Sequence, residues 1–203
     1  MDAPLRAPTT PATMVNGYQT EKETELKVDC HDHAFKHITI SDAATTQTIF
    51  HVKGRTWGTS WSWRRTLFDE NENPIFDFRH ENLDIKNKWV VEVPGQNKLG
   101  SLVHKKQISS QHSAINATVR TVTGAEVLVE MRPVDSNAVN TVISIDESTI
   151  ATIERIATNE QPLFAKSYMD RSNWKVRVAA DVDLSLVMVM VLCRVEMGHV
   201  WKQ

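Results

Sequence analysis

The chain has 203 residues, 23 of them Lys or Arg and 25 Asp or Glu, and 41% are apolar. That length and apolar share suit one domain with one sizeable core, and the balanced charge excludes the strongly basic field of a nucleic-acid binder. Cys30 and Cys193 stand far apart and neither lies in a C-x-x-C, which fits a reducing, cytoplasmic compartment better than a disulfide framework.

Residues 1–29 read as a disordered tail. Pro4, Pro8 and Pro11 come early, and Glu21, Lys22, Glu23 and Glu25 follow. Such a stretch buries too little apolar surface to offset its ordering entropy, and a short strand at Leu26–Val28 is the most it predicts. Neither a basic-then-apolar leader nor a Gly after Met1 is present at the start, so secretion and N-myristoylation are not indicated. The domain is expected over 30–203.

From His37 the texture is short and strand-like. Ile38–Ile40 and Ile49–Val52 read as strands, the latter ending at Gly54. Trp61-Ser62-Trp63 would set two indoles on one strand face, and Arg64–Phe68 would continue it. The polar run Asp69–Pro74 is a turn by composition, so Ile75–Phe78 completes a hairpin. Further strands are expected around Trp89–Val93, Leu102–Val103, Ala117–Val122, Glu126–Met131, Val142–Ile145 and Ile150–Ile156. Trp174, Val176 and Val178 alternate with Lys175 and Arg177, a strand with one wet face. Many short strands at this spacing predict an all-β sandwich or barrel.

The last element is Asp181–Glu196, DVDLSLVMVMVLCRVE. Leu184–Cys193 is apolar on every side apart from Ser185, and shorter than the roughly 18–20 residues of a membrane-spanning helix. Periodicity alone leaves helix and buried strand open. Asp183 at the start and Arg194 at the end favour a helix, and a helix with no polar face must be covered all round. A closed antiparallel sheet would cover it and remove its own edges.

Phe50-His51-Val52-Lys53-Gly54, then Leu67-Phe68-Asp69 through Asn73-Pro74-Ile75, then Lys88-Trp89 with Val91, resemble the repeated strand pattern of the LURP-one-related proteins. Trp174–Val178 with Asp183 and the apolar run resembles that family's C-terminal signature. The resemblance covers about residues 35–197, and its order and spacing carry it. It implies the fold shared with the tubby C-terminal domain and the phospholipid scramblases: mainly β, a closed antiparallel barrel of about twelve strands around a buried C-terminal hydrophobic helix. It implies no established enzymatic activity. Glu72-Asn73 and Ala180-Asp181 stand where the family usually has Gly in a turn and a Pro-Gly pair, and Arg132-Pro133 follow Met131 where a Gly usually closes the second-half strand.

Asp69-x-Asn71-x-Asn73 matches the first three ligands of an EF-hand loop, but Pro74 and His80 occupy the positions of its Gly and bidentate Glu, so it reads as a hairpin turn without a metal. Cys30, His31, His33 and His37 have no second cluster to complete a zinc site. Asp181 and Asp183 read as a helix start, and no G-x-S-x-G, phosphate loop or H-E-x-x-H occurs. We therefore expect no enzyme, cofactor or metal.

Charge placement is more informative. No acid lies between Asp42 and Asp69, where Lys53, Arg55, Arg64 and Arg65 stand with Trp57, Trp61 and Trp63; none lies between Glu92 and Glu126, where Lys98, Lys105, Lys106 and Arg120 stand. Basic side chains beside indoles suit an anionic lipid surface. Lys53, Arg55, Arg64, Arg65, Lys105 and Lys106 are the candidate headgroup residues. The expected role is peripheral binding of anionic phospholipid such as a phosphoinositide. The alternatives are a protein-interaction scaffold through the tail or an exposed strand face, and a small-ligand binder or scramblase-like protein.

Overall fold

A computed structural model describes residues 4–32, 35–54, 64–81, 88–94, 98–105, 114–136, 138–158 and 172–200. Among the described residues twelve strands precede one helix: β1 Thr24–Cys30, β2 His37–Asp42, β3 Thr48–Gly54, β4 Arg65–Asp69, β5 Pro74–His80, β6 Lys88–Glu92, β7 Lys98–Lys105, β8 Ala114–Arg120, β9 Glu126–Pro133, β10 Asn140–Ile145, β11 Ser148–Thr158, β12 Ser172–Val178 and α1 Leu184–Val200. Each strand pairs antiparallel with its neighbours in sequence, and β1 pairs with β12, so the sheet closes into a barrel.

Alternation sets the two faces. On β12, Trp174, Val176 and Val178 are buried while Lys175 and Arg177 stay half-exposed; on β10, Thr141, Ile143 and Ile145 are buried likewise. The interior also takes Phe50, Phe76, Phe78 and Trp89, each contributing on the order of 1.5–3 kcal/mol by leaving water. Every side chain of α1 from Leu184 to Met197 is buried. The helix thus fills the barrel, as its missing polar face requires.

Gly54 closes β3 against the preceding loop. A Cβ there would lie 2.7 Å from Lys36 Cγ, and its N–H donates to the Lys36 carbonyl at 2.8 Å, so the close approach requires glycine.

Two expectations are corrected. Residues 4–29 are not a disordered tail. Thr24–Cys30 is β1, whose ladders to β12 and β2 close the barrel. Residues 4–20 form a strap across one mouth. The Arg6 N–H donates to the Thr149 carbonyl, Val122 N–H to Thr13, and Leu184 N–H to Tyr18, each at 2.9 Å; Ala12, Met14 and Thr20 are buried. The helix also does not stop at Arg194 but continues to Val200, so Arg194 and Glu196 lie inside instead of capping it in solvent.

Alternate connections meet at the same end. Those at 43–47, 70–73, 93–97, 121–125 and 146–147, with the entry to α1, form the turn end, which the strap crosses. Those at 31–36, 55–64, 81–87, 106–113, 134–139 and 159–171 join the strands at the loop end, toward which α1 runs.

Candidate functional site

Lys53 lies on the outer wall of β3, half-exposed. It forms an ion pair with Glu72 and sits 5.3 Å above the Phe68 ring. His51 stacks on Phe68 with centroids 5.3 Å apart, and its Nε2 is 3.2 Å from the same Glu72 oxygen. The hydrogen bond from Lys53 holds the Glu72 carboxyl below its usual range.

Arg64 precedes β4 and points outward. Its Nη1 is 2.9 Å from Asp77 and its Nη2 3.3 Å from Glu92. Arg79 Nη2 meets Glu92 at 2.6 Å, which raises the arginine's pKa and lowers the carboxyl's. Two guanidiniums and two carboxylates therefore neutralise one another on this wall.

Arg65 corrects the expected headgroup set. The one-residue step from Arg64 turns it into the barrel, where it is 4% exposed and its Nη1 pairs with Glu196 at 2.8 Å. The Trp89 indole N–H donates to the same Glu196 oxygen at 3.3 Å. Arg65 is thus an internal anchor for α1.

Lys105 ends β7, four strands round the sheet from β3. Its side chain, Arg55, Lys106, Trp57, Trp61 and Trp63 lie outside the described residues, as does His33. In the second window, Lys98 is paired across the ladder with Glu92, and Arg120 is 3.9 Å from Glu126. An acid-free run of sequence is therefore not an acid-free surface: the carboxylates come from neighbouring strands. Gly54 and Lys105, from which the two windows leave their strands, both open at the loop end.

The other sequence motifs resolve locally. Asp69 accepts the N–H groups of Asn71 at 2.9 Å and Asn73 at 2.8 Å, and the Asn73 amide at 3.0 Å; these bonds, the Asn73 side chain first, lower its pKa. Its oxygens thus serve the hairpin turn. Cys30 faces the core while His31 shares a 2.8 Å hydrogen bond with Thr39 on the outside. Burial pushes the Cys30 thiol up to about 12 and the Cys193 thiol well above its usual value, so neither is an activated nucleophile.

Asp183 does start the helix. It is 2% exposed, and its Oδ1 accepts Ser185 N–H at 2.8 Å and Ser185 Oγ–H at 2.7 Å. Its Oδ2 accepts Met14 N–H at 2.7 Å and Val15 N–H at 3.0 Å, so one carboxylate caps the helix and pins the strap. Sequence reasoning found the cap but missed the strap, whose partners are about 170 positions away.

The two ends of the barrel differ in charge. The connections at the turn end, with the entry to α1, carry Glu70, Glu72, Asp146, Glu147, Asp181 and Asp183 and no Lys or Arg. Of the sequence that joins strands at the loop end, 55–64 and 106–113 carry Arg55, Arg64 and Lys106 and no acid, 134–139 carries Asp135 and no Lys or Arg, and 31–36, 81–87 and 159–171 mix both signs. Exposed aliphatic side chains also collect near the loop end. Val134, Val139 and Ile156 are 42%, 37% and 57% exposed, joined by the bond from Arg155 N–H to the Val139 carbonyl; Val122 and Leu128 are exposed elsewhere. No helix among the described residues is long and apolar enough to cross a membrane.

No curated protein matches the chain. Among solved structures, the X-ray structure of an Arabidopsis thaliana protein, AT5G01750, is similar over 91% of this chain and 96% of that chain, with a TM-score of 0.53 and 13% identity; an identity that low speaks for the fold alone. The family model described as LURP-one-related matches residues 24–195. That span begins at β1, takes in all twelve strands and runs into α1 through Val195, and the chain belongs to the LURP-one-related family.

Proposed function

We propose that the protein is a non-catalytic barrel module that docks on an anionic phospholipid surface with its loop end foremost. The observation that carries this reading is the charge contrast between the ends: carboxylates without a Lys or Arg in the turn-end connections, and two acid-free basic connections at the other end. The helix occupies the barrel interior, so a surface ligand suits the fold better than an enclosed one. The opposed charges turn the loop end toward an anionic surface, where each Lys or Arg adds about 1 kcal/mol. The exposed Lys53–Glu72 pair is weak in water and can exchange its partner for a headgroup.

The test is sedimentation with vesicles at low salt. Phosphatidylcholine vesicles containing a phosphoinositide should pellet the protein, and phosphatidylcholine alone should not. Reversal of Lys53, Arg55, Lys105 and Lys106 to Glu should abolish pelleting, while Glu70→Lys with Glu147→Lys should leave it or strengthen it. Equal behaviour on both vesicles overturns the reading.

A second reading, a protein-interaction scaffold, is favoured by the aliphatic group Val134, Val139 and Ile156 on the β9–β11 side of the wall, away from Lys53. Self-association in sedimentation velocity that Ile156→Asp removes, with vesicle binding unchanged, would support it; a monomer with and without the substitution would count against self-association.

A further inference from the structure

The strap carries a sequence feature that the barrel does not use. Of the seven prolines in the chain, Pro11 alone follows a Ser or Thr. That residue, Thr10, is exposed, as is Thr9 before it, and the chain bends at the pair. Thr10 makes no hydrogen bond among the described residues, so its hydroxyl is free. Pro11 supplies no N–H after it and disfavours a helical Thr10. Just beyond, Ala12 and Met14 are buried, and Asp183 Oδ2 accepts the Met14 and Val15 N–H groups at 2.7 Å and 3.0 Å. The free hydroxyl therefore stands immediately ahead of the pinned part of the strap.

Charge makes that position consequential. Arg6 is the only charged residue in 4–20, so the strap is weakly positive. It crosses the end whose connections, with the entry to α1, carry Glu70, Glu72, Asp146, Glu147, Asp181 and Asp183 and no Lys or Arg. Opposite signs favour a closed strap. A phosphate on the strap, with about −1.5 to −2 charges at neutral pH, reverses the strap's sign and sets like charges against each other.

We propose that Thr10 is a phosphorylation site for a proline-directed protein kinase, and that the phosphate loosens the strap from the acidic mouth. In the transfer, Thr10 Oγ attacks the γ-phosphorus of ATP. The new O–P bond forms as the bond to the β,γ-bridging oxygen breaks, ADP leaves with that electron pair, and the hydroxyl proton passes to the carboxylate base of the kinase. Lifting residues 12–15 frees Asp183 of its strap donors and uncovers the start of α1. The inference concerns the turn end and stands apart from the membrane reading of the loop end.

The test incubates the full chain with ATP, magnesium and a proline-directed kinase and reads the product by mass spectrometry. The native chain and Thr9→Val should each gain one phosphate, placed on Thr10 by fragmentation, and Thr10→Val should gain none. No incorporation into the native chain, or equal incorporation into Thr10→Val, overturns the site. Hydrogen exchange of the modified chain then reads the strap. The Met14 and Val15 amides should exchange about fivefold faster than in the unmodified chain, the scale of a surface charge contact, with the β5 and β12 ladders unchanged. Unchanged or slower exchange at Met14 and Val15, as a phosphate paired with Arg6 would produce, overturns the loosening, and so does acceleration spread equally through the ladders.

Discussion

The two ends of α1 are held by opposite strategies. At the turn end a single buried carboxylate, Asp183, is satisfied by four donors from its own helix and from the strap, with no cation among those partners. At the loop end the helix carries its own charges inside: Glu196 is paired with Arg65, and Arg194 is set against a carbonyl and an indole. The first strategy uses backbone donors, which are fixed by the fold and seal a mouth. The second uses long side chains and keeps both charges inside the barrel. An end closed by backbone is suited to stability, and an end that keeps charge is suited to binding.

The largest expected effect breaks the loop-end anchor. Glu196→Gln keeps the size of the side chain but leaves Arg65 buried without its countercharge, which should cost about 3–5 kcal/mol and shift the urea midpoint accordingly. A loss below about 1 kcal/mol, the range of exposed pairs, would mean that water reaches Arg65, and the contrast between the ends would be smaller than drawn here.

Asp183→Ala attacks the other end. It removes a helix cap and leaves the Met14 and Val15 N–H groups without their acceptor, together about 2–3 kcal/mol. Amide exchange should accelerate at Met14, Val15 and Ser185 before it does in the barrel ladders. Acceleration spread equally through β5 and β12 would show that the strap and the barrel open as one unit.

The pH dependence belongs to the loop end. His80 is half-buried with its ring 4.6 Å from Trp89 in an edge-on contact. Burial lowers its pKa first, Arg65 lowers it further, and Glu196 opposes both. A depressed histidine means that the unfolded chain binds the proton before the folded one does. Stability is therefore full above the ordinary value of 6.5 and falls as the pH drops from there through the folded value. Urea titrations between neutral and mildly acidic pH should show that slope in the native protein and a shallower one in His80→Gln; equal slopes would assign the acid sensitivity to other groups.

What was legible in the sequence follows the same division. Strands with one wet face announce themselves, as Trp174 to Val178 does by strict alternation, and so does a helix with no polar face. The strap was illegible because burial of Ala12, Met14 and Thr20 alone makes no periodic pattern, and its anchor is a carboxylate at the other end of the chain. Of the expected basic residues, Lys53 and Arg64 lie on the outer wall and Arg65 lies inside the barrel. Arg64 and Arg65 are adjacent in sequence but lie on opposite faces of the sheet, and the acids facing Lys53 and Arg64 arrive from the β4–β5 turn, β5 and β6. Local composition carries no information about cross-strand neighbours, whereas the polarity of the ends follows once the strand order is known.

The smallest expected effect sharpens the turn end without dismantling it. Asp181 sits at φ 59°, where its N–H donates to the Thr20 carbonyl at 2.8 Å, and its exposed carboxylate makes no hydrogen bond or ion pair among the described residues. Glycine is free of the left-handed penalty of about 1–2 kcal/mol, but it loses more backbone entropy on folding, about 0.5–1 kcal/mol. Asp181→Gly should therefore gain about 0.5 kcal/mol, a rise of about 1–2 °C in Tm for a chain of this size, whereas Asp181→Ala should lose stability because alanine inherits the strain without the carboxylate's tolerance for it. The substitution also deletes one turn-end charge, so the same variant should bind anionic vesicles no less tightly than the native protein. A stabilised variant with weaker vesicle binding would place the lipid contact at the turn end and reverse the polarity on which the proposed orientation rests.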